Sequence, residues 1–208
     1  MNRGIKTTSR VAIIGGGPAG SFFALFLLHY ARQTGKRYEI TIYQERDFNG
    51  LGPKGCKGCA GVLDMSVVEN LKELDLTIPE EIIQSKIVHY AVHSPYTSIS
   101  ISNPGKGVKI LSVYRGGGPR VSHFEHNISF DGWLLSQAQK RGAKVENQRA
   151  SRIYLKPEAK VEVAGEKLDY DLIALASGVN GRPLPIHGLN YHPTRTQTMA
   201  QDELYAGV

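Results

Sequence analysis

Residues 10–20 constrain what this chain can fold into more than any other stretch. Arg10-Val11-Ala12-Ile13-Ile14 is an apolar, β-branched run of strand length. Gly15-Gly16-Gly17-Pro18-Ala19-Gly20 follows at once, and Ser21 to Tyr30 is then apolar over a helical length. In a strand-turn-helix of this kind each glycine has a separate task. Gly15 allows the tight turn off the strand, Gly17 lets bare backbone approach a pyrophosphate, and Gly20 lets the helix pack closely on the strand. Pro18 stands where a missing N–H costs nothing. The helix start at Pro18 and Ala19 turns its free N–H groups and positive dipole end towards an anion.

Gly35 breaks the helix, Tyr38 to Tyr43 reads as a second parallel strand, and Glu45 lies just past its C-terminal end. A carboxylate there accepts both ribose hydroxyls of an adenosine and repels a 2′-phosphate, so FAD or NAD is favoured over NADP. Arg46 weakens that exclusion. The strand before, the helix after and the acid beyond the next strand together form a dinucleotide-binding fingerprint, where a lone glycine pattern would be only a turn.

With 208 residues, 41% of them hydrophobic and 21% charged, the chain has the make-up of a globular protein able to bury one core and part of a second. The net charge of +6 is scattered, apart from Arg3, Lys6 and Arg10. No nucleic-acid motif accompanies it, so nucleic acid is not an expected partner; attraction to anionic lipid at a membrane periphery stays open. The N-terminus mimics a signal peptide, but Gly15 to Pro18 interrupt it. Its longest clean apolar part, Phe22 to Leu28, is far short of the roughly 20 residues needed to span a bilayer. Two cysteines and no export signal make a reducing cytoplasm the expected location.

A loop rich in glycine and lysine runs from Arg46 to Gly61, long enough to suggest function. A short helix is expected from about Leu63 to Leu74, and another helical turn at Pro79-Glu80-Glu81. From Lys86 the period becomes two: 87–92, 97–102 and 108–114 read as an antiparallel meander. Ser129-Phe130-Asp131 opens a helix bearing Leu134, Leu135 and Ala138 that stops at Gly142. A strand is expected over Val145 to Leu155, a hairpin at Ala164-Gly165-Glu166, and a buried parallel strand over Tyr170 to Ala176. The fold class is therefore α/β, a Rossmann-type FAD-binding domain over 1–84 and 129–188. An inserted antiparallel sheet, part of a substrate domain, takes 85–128 plus 189–208.

Several phrases together resemble the geranylgeranyl-reductase-like branch of FAD-dependent oxidoreductases. They are Gly15 to Gly20 with Glu45-Arg46, Gly55-Cys56-Lys57-Gly58-Cys59-Ala60-Gly61, Tyr114-Arg115-Gly116-Gly117-Gly118-Pro119-Arg120, and Ser129-Phe130-Asp131 before Leu134-Leu135. The resemblance implies an aromatic-hydroxylase-type fold with a β-sheet over the flavin. It places Glu45 on the adenosine ribose, Cys59-Ala60-Gly61 near the isoalloxazine and the backbone of Ala150 against the adenine. Ala176-Ser177-Gly178 stands where the family has Ala-Asp-Gly or Ala-Thr-Gly: Gly178 keeps the backbone approach, while Ser177 lacks the carboxylate. Members of that branch continue into further sheet and a Gly-Asp segment that touches the flavin, so the chain is expected to be a C-terminally truncated piece.

Cys56 and Cys59 form a Cys-x-x-Cys pair that reads as a redox disulfide, half a metal site, or packing in a glycine loop. Zinc needs about four ligands and no second pair exists, so no metal is expected. Cys59 is the better placed thiol and the sole candidate catalytic residue. Arg115 and Arg120 around Gly116 to Gly118 suit a second phosphate, from an isoprenoid diphosphate or a nicotinamide donor, or merely flank an inter-strand loop. Lys54 and Lys57 read as solvated, Phe130 and Trp133 as core, and Asn127-Ile128-Ser129 spells a glycosylation acceptor without meaning in a cytoplasm. The expected function is a flavoprotein oxidoreductase, fed by NAD(P)H, that reduces an apolar, isoprenoid-type substrate. A flavin monooxygenase, or a truncated non-catalytic FAD- or NAD-binding module, is the alternative.

Overall fold

The computed structural model describes residues 8–49, 61–87, 89–102, 110–116, 128–178 and 184–189. In chain order the elements are β1 (Thr8–Ile14), α1 (Pro18–Thr34), β2 (Arg37–Tyr43), β3 (Val62–Leu63), α2 (Met65–Glu73), a 3-10 turn (Glu80–Ile82), β4 (Ile83–Ile87), β5 (His89–His93), β6 (Ser98–Ser102), β7 (Ile110–Val113), α3 (Phe130–Lys140), β8 (Lys144–Glu146), β9 (Ala150–Tyr154), β10 (Lys160–Val163), β11 (Glu166–Asp169), β12 (Leu172–Leu175) and β13 (Ile186–His187). Described residues up to Asp47 and from Asp131 onward form one compact unit, and those from Phe48 to Phe130 another.

The first unit is built on a four-stranded parallel sheet in the order β12-β1-β2-β8. Its central strand β1 has Val11, Ala12 and Ile13 fully buried and Ile14 at 6%. Successive side chains on a strand point to opposite faces. Ile13 lies beside Gly20 of α1, so it and Val11 face the helix, where Ala24 and Leu25 are also buried. Ala12 and Ile14 face the other way, into a cluster with Tyr43, Ala150, Ile153, Val161, Val163 and Tyr170. That cluster is roofed by a second sheet, β11-β10-β9-β13. Burial on both faces is why residues 11–14 carry no polar side chain. The helix α1 stops at Gly35, which caps it in the left-handed region at φ 65° and donates its N–H to the Ala31 carbonyl.

In the second unit β7 is sandwiched between β3 and β4, antiparallel to both, while β5 and β6 form a separate hairpin. Asp64 caps α2, accepting from the N–H groups of Ser66 at 2.8 Å and Val67 at 3.4 Å. The Ser66 hydroxyl bond, then these backbone bonds, hold the Asp64 carboxyl below its usual range. Leu71, Leu74 and Ile82 are buried under that helix and the following turn. The hairpin leaves Val92, Ile99 and Ile101 more than half exposed.

Three expectations are corrected. The stretch 87–114 is no simple meander: β7 pairs with β4 and β3, and β5 pairs only with β6 among the described residues. The strand expected over Val145 to Leu155 is two, since β8 extends the parallel sheet beside β2 while β9, from Ala150 onward, joins β10 in the antiparallel one. The strand β12 is parallel to β1 as expected but not buried: Leu172, Ile173 and Ala174 are half-buried and Leu175 is 51% exposed, because among the described residues β12 is an edge. The second unit begins at Phe48 and holds β3 and β4, both hydrogen-bonded to β7.

Candidate dinucleotide-binding site

The glycine turn sits at the C-terminal end of β1, where a doubly wound sheet places its ligands. Gly15 has φ 105°, a conformation closed to most side chains, and donates its N–H to the Tyr43 carbonyl at 3.0 Å. A β-carbon on Gly15 would collide with the carbonyl of Ala176, so the end of β12 lies directly on the turn. Ala176 in turn donates its N–H to the Ile14 carbonyl at 2.9 Å. A β-carbon on Gly20 would collide with the Gly15 carbonyl. Helix and strand therefore meet backbone to backbone.

Gly17 differs from both. It is the N-cap of α1, and a β-carbon there would meet nothing within 4 Å among the described residues. The glycine is not demanded by the surrounding protein; it leaves open the space into which a phosphate would come. Pro18 occupies the first helical position, the first turn carries no acid, and no side chain caps the helix. The first intrahelical bond is Ser21 N–H to the Gly17 carbonyl at 2.9 Å. The N–H groups of Ala19 and Gly20 are thus the orphan donors of the first turn, at its positive end. These residues fit the diphosphate of a dinucleotide.

Two residues that sequence patterns did not single out fasten the turn. Buried Ser21 donates its hydroxyl to the Gly16 carbonyl at 2.8 Å. Gln44 accepts the Gly16 N–H through its Oε1 at 2.7 Å and donates from Nε2 to the Arg46 carbonyl at 2.8 Å. The signal for Gln44 was the middle glycine of the three, Gly16, which a Gly-x-Gly pattern does not require.

Glu45 stands two residues beyond β2 and is exposed; Arg46 is half-buried. Ala150 opens β9 with its side chain in the core cluster. Gly178 follows β12 at φ 75° with open space at its β-position. Gly61, which the resemblance placed near the isoalloxazine, has φ 62° and a β-position blocked by the Val113 carbonyl, while its own carbonyl accepts the Val113 N–H at 2.9 Å. Close packing on β7 alone is reason enough for that glycine. Cys56, Cys59, Ala60, Lys54, Lys57, Gly117, Gly118, Arg120 and Asn127 lie outside the described residues. Phe130 and Trp133 are buried.

Residues 9–206 match the pyridine nucleotide-disulphide oxidoreductase family. No curated protein matches the chain by sequence. Among solved structures, 2-methyl-3-hydroxypyridine-5-carboxylic acid oxygenase is similar at 17% identity and TM-score 0.51, over 80% of this chain and 38% of that one. A tryptophan C-6 flavin-dependent halogenase from taromycin biosynthesis is similar at 16% identity and TM-score 0.54, over 82% and 43%. The p-nitrophenol 4-monooxygenase from Pseudomonas putida DLL-E4 is similar at 14% identity and TM-score 0.53, over 84% and 42%. The matched part of the chain thus covers 38–43% of the length of these three. The family indicates FAD as the cofactor.

Proposed function

The chain belongs to the pyridine nucleotide-disulphide oxidoreductase family, and from that premise we propose that it carries the FAD-binding part of an oxidoreductase that reduces an apolar, isoprenoid-type substrate. The observation that carries the FAD-binding part is the open β-position of Gly17 at the uncapped start of α1. Ala19 and Gly20 would donate to the diphosphate and Glu45 would accept the ribose hydroxyls. Bound there, the flavin supplies hydride or electron transfer; the protein supplies position and electrostatics. Gly15 and Gly20 set the turn against helix and strand, and the absence of acid from the first turn of α1 keeps like charge away from the phosphates.

What supports the apolar substrate is the resemblance carried by residues 55–61, 114–120 and 129–135. NAD(P)H is the proposed electron donor and Cys59 the proposed thiol beside the flavin ring. A location in the cytoplasm, with contact to a membrane surface, belongs to the same proposal; among the described residues no helix is long and apolar enough to cross a membrane.

A second reading, a flavin-dependent monooxygenase, is favoured by the oxygenase and monooxygenase among the similar folds. The two separate by product. The purified chain should show the visible absorption of oxidised flavin, and anaerobic NAD(P)H oxidation coupled to saturation of an isoprenoid double bond is expected of the reductase. Oxygen-dependent oxidation that yields peroxide or a hydroxylated product would overturn it in favour of the monooxygenase. A colourless protein that takes up no FAD would overturn both.

A further inference from the structure

The geometry points to Gln44 as the residue that holds the two halves of the FAD grip in register, a positioning role that rests on the reading of the glycine turn given above. Gln44 directly follows β2, and its backbone N–H donates to the Glu146 carbonyl at 2.9 Å, so its main chain is fixed by the neighbouring strand. Its carboxamide is used at both ends. Oε1 accepts the N–H of Gly16 at 2.7 Å, and Nε2 donates to the carbonyl of Arg46 at 2.8 Å. One planar group, 28 residues beyond Gly16, thereby ties the middle of the phosphate turn to the segment bearing Glu45.

Packing leads to the same residue independently. A β-carbon on Gly16 would come within 3.1 Å of the Gln44 Cβ, 3.2 Å of its Cγ and 2.9 Å of Leu135 Cδ1. Gly16 is therefore bare because the stem of Gln44 and the tip of Leu135 lie on it. Its carbonyl is held from the other side by the Ser21 hydroxyl. An apolar residue of similar size at position 44 would fill the same space and make neither bond.

The consequence concerns ligands that touch both grips. With the Gly16 N–H committed to Gln44, Ala19 and Gly20 are left to meet the diphosphate, while Glu45 meets the ribose. The gain from binding both at once depends on their separation being preset, which is how preorganisation raises affinity. Loosening Gln44 leaves each contact available but no longer mutually placed.

The test is a double-mutant cycle read by FAD affinity, on the chain as it stands. Gln44→Met keeps the stem on Gly16 and removes both hydrogen bonds; Glu45→Gln removes the ribose acceptor charge; the third protein carries both. Gln44→Met should weaken FAD binding about tenfold, the size of one to two net hydrogen bonds. In the Glu45→Gln background its cost should shrink below about threefold, because no second grip remains to be aligned. Equal losses in the two backgrounds, or no loss on Gln44→Met, would overturn the positioning role. Thermal melts accompany each protein, and Gln44→Leu replaces Gln44→Met if that variant does not fold. A wild-type chain that binds no FAD overturns the cofactor reading itself, whereas tight wild-type binding with an additive cycle overturns only the role of Gln44.

Discussion

The carbonyl oxygen of Gly15 occupies the place where a β-carbon on Gly20 would stand, so the first strand's exit and the first helix touch backbone to backbone. Gly20→Ala must push α1 off β1, against Ile13 as well, since its Cγ2 lies 3.1 Å from the same point. Overpacking of a tight contact costs about 1–3 kcal/mol. Urea unfolding should report a loss of that size, and an unchanged midpoint would show that helix and strand are not packed this closely.

Gly17→Val has the opposite signature. The β-position is open, so the fold loses no more than about 1 kcal/mol, the cost of a poor N-cap residue. The added branches instead fill the space at the helix start where the diphosphate is proposed to lie. Cofactor content after gel filtration should fall to background while the melting temperature holds within a few degrees. Full FAD retention in this variant would move the phosphate away from the turn.

How far such features can be seen in the chain alone depends on whether their cause is local. The turn, α1 and β2 are legible because each follows from neighbours in sequence: Gly15 at φ 105°, Pro18 at the first helical position, Gly35 at φ 65°. Pairing partners are not local. A period of two announces β7 but cannot say that it lies beside β4 rather than β6. Between Glu146 and Ala150 stand Asn147, Gln148 and Arg149, with neither glycine nor proline to mark the point where the chain leaves one sheet for another. Gln44 escaped because a polar residue at a strand end fits any loop, and its importance comes from Gly16, far off in sequence.

Tyr43 and Tyr170 give a pH-dependent prediction. Their hydroxyls hydrogen-bond at 2.6 Å in the core between the two sheets, with the rings edge to face at 6.4 Å and the Arg10 guanidinium 5.2 Å from the Tyr170 ring centre. Burial first, then the bond to Tyr170, pushes the Tyr43 hydroxyl above its usual range. A tyrosine is neutral when protonated, and unfolded it ionises near pH 10. The folded value is higher, so this contribution to stability is whole below about pH 10 and is lost as pH rises towards the folded value. Tyr43→Phe should cost about 1–3 kcal/mol at neutral pH by stranding the Tyr170 hydroxyl, and Tyr43→Phe with Tyr170→Phe less than the sum of the single changes. The gap between wild type and Tyr43→Phe should narrow when urea unfolding is repeated above pH 10; a constant gap would remove Tyr43 as the titrating group.

The hairpin joining β10 to β11 carries a strain that a single substitution should relieve. Ala164 and Gly165 are its two central residues, at φ 50° and 85°, and positive φ at both defines the turn whose twist matches antiparallel strands. Glycine takes that conformation freely, but alanine pays roughly 1 kcal/mol for it. Ala164 is exposed, so a larger polar side chain there would extend into solvent. Asparagine tolerates the left-handed region, so Ala164→Asn should stabilise the protein by about 0.5–1 kcal/mol. Ala164→Val, branched at the β-carbon, should destabilise it by a similar amount. Neither should change FAD affinity, because the turn lies in β10–β11, away in sequence and sheet from the glycine turn after β1. Melting temperatures that rank asparagine above alanine above valine are the expected result, and the reverse order would mean that the hairpin does not make this turn.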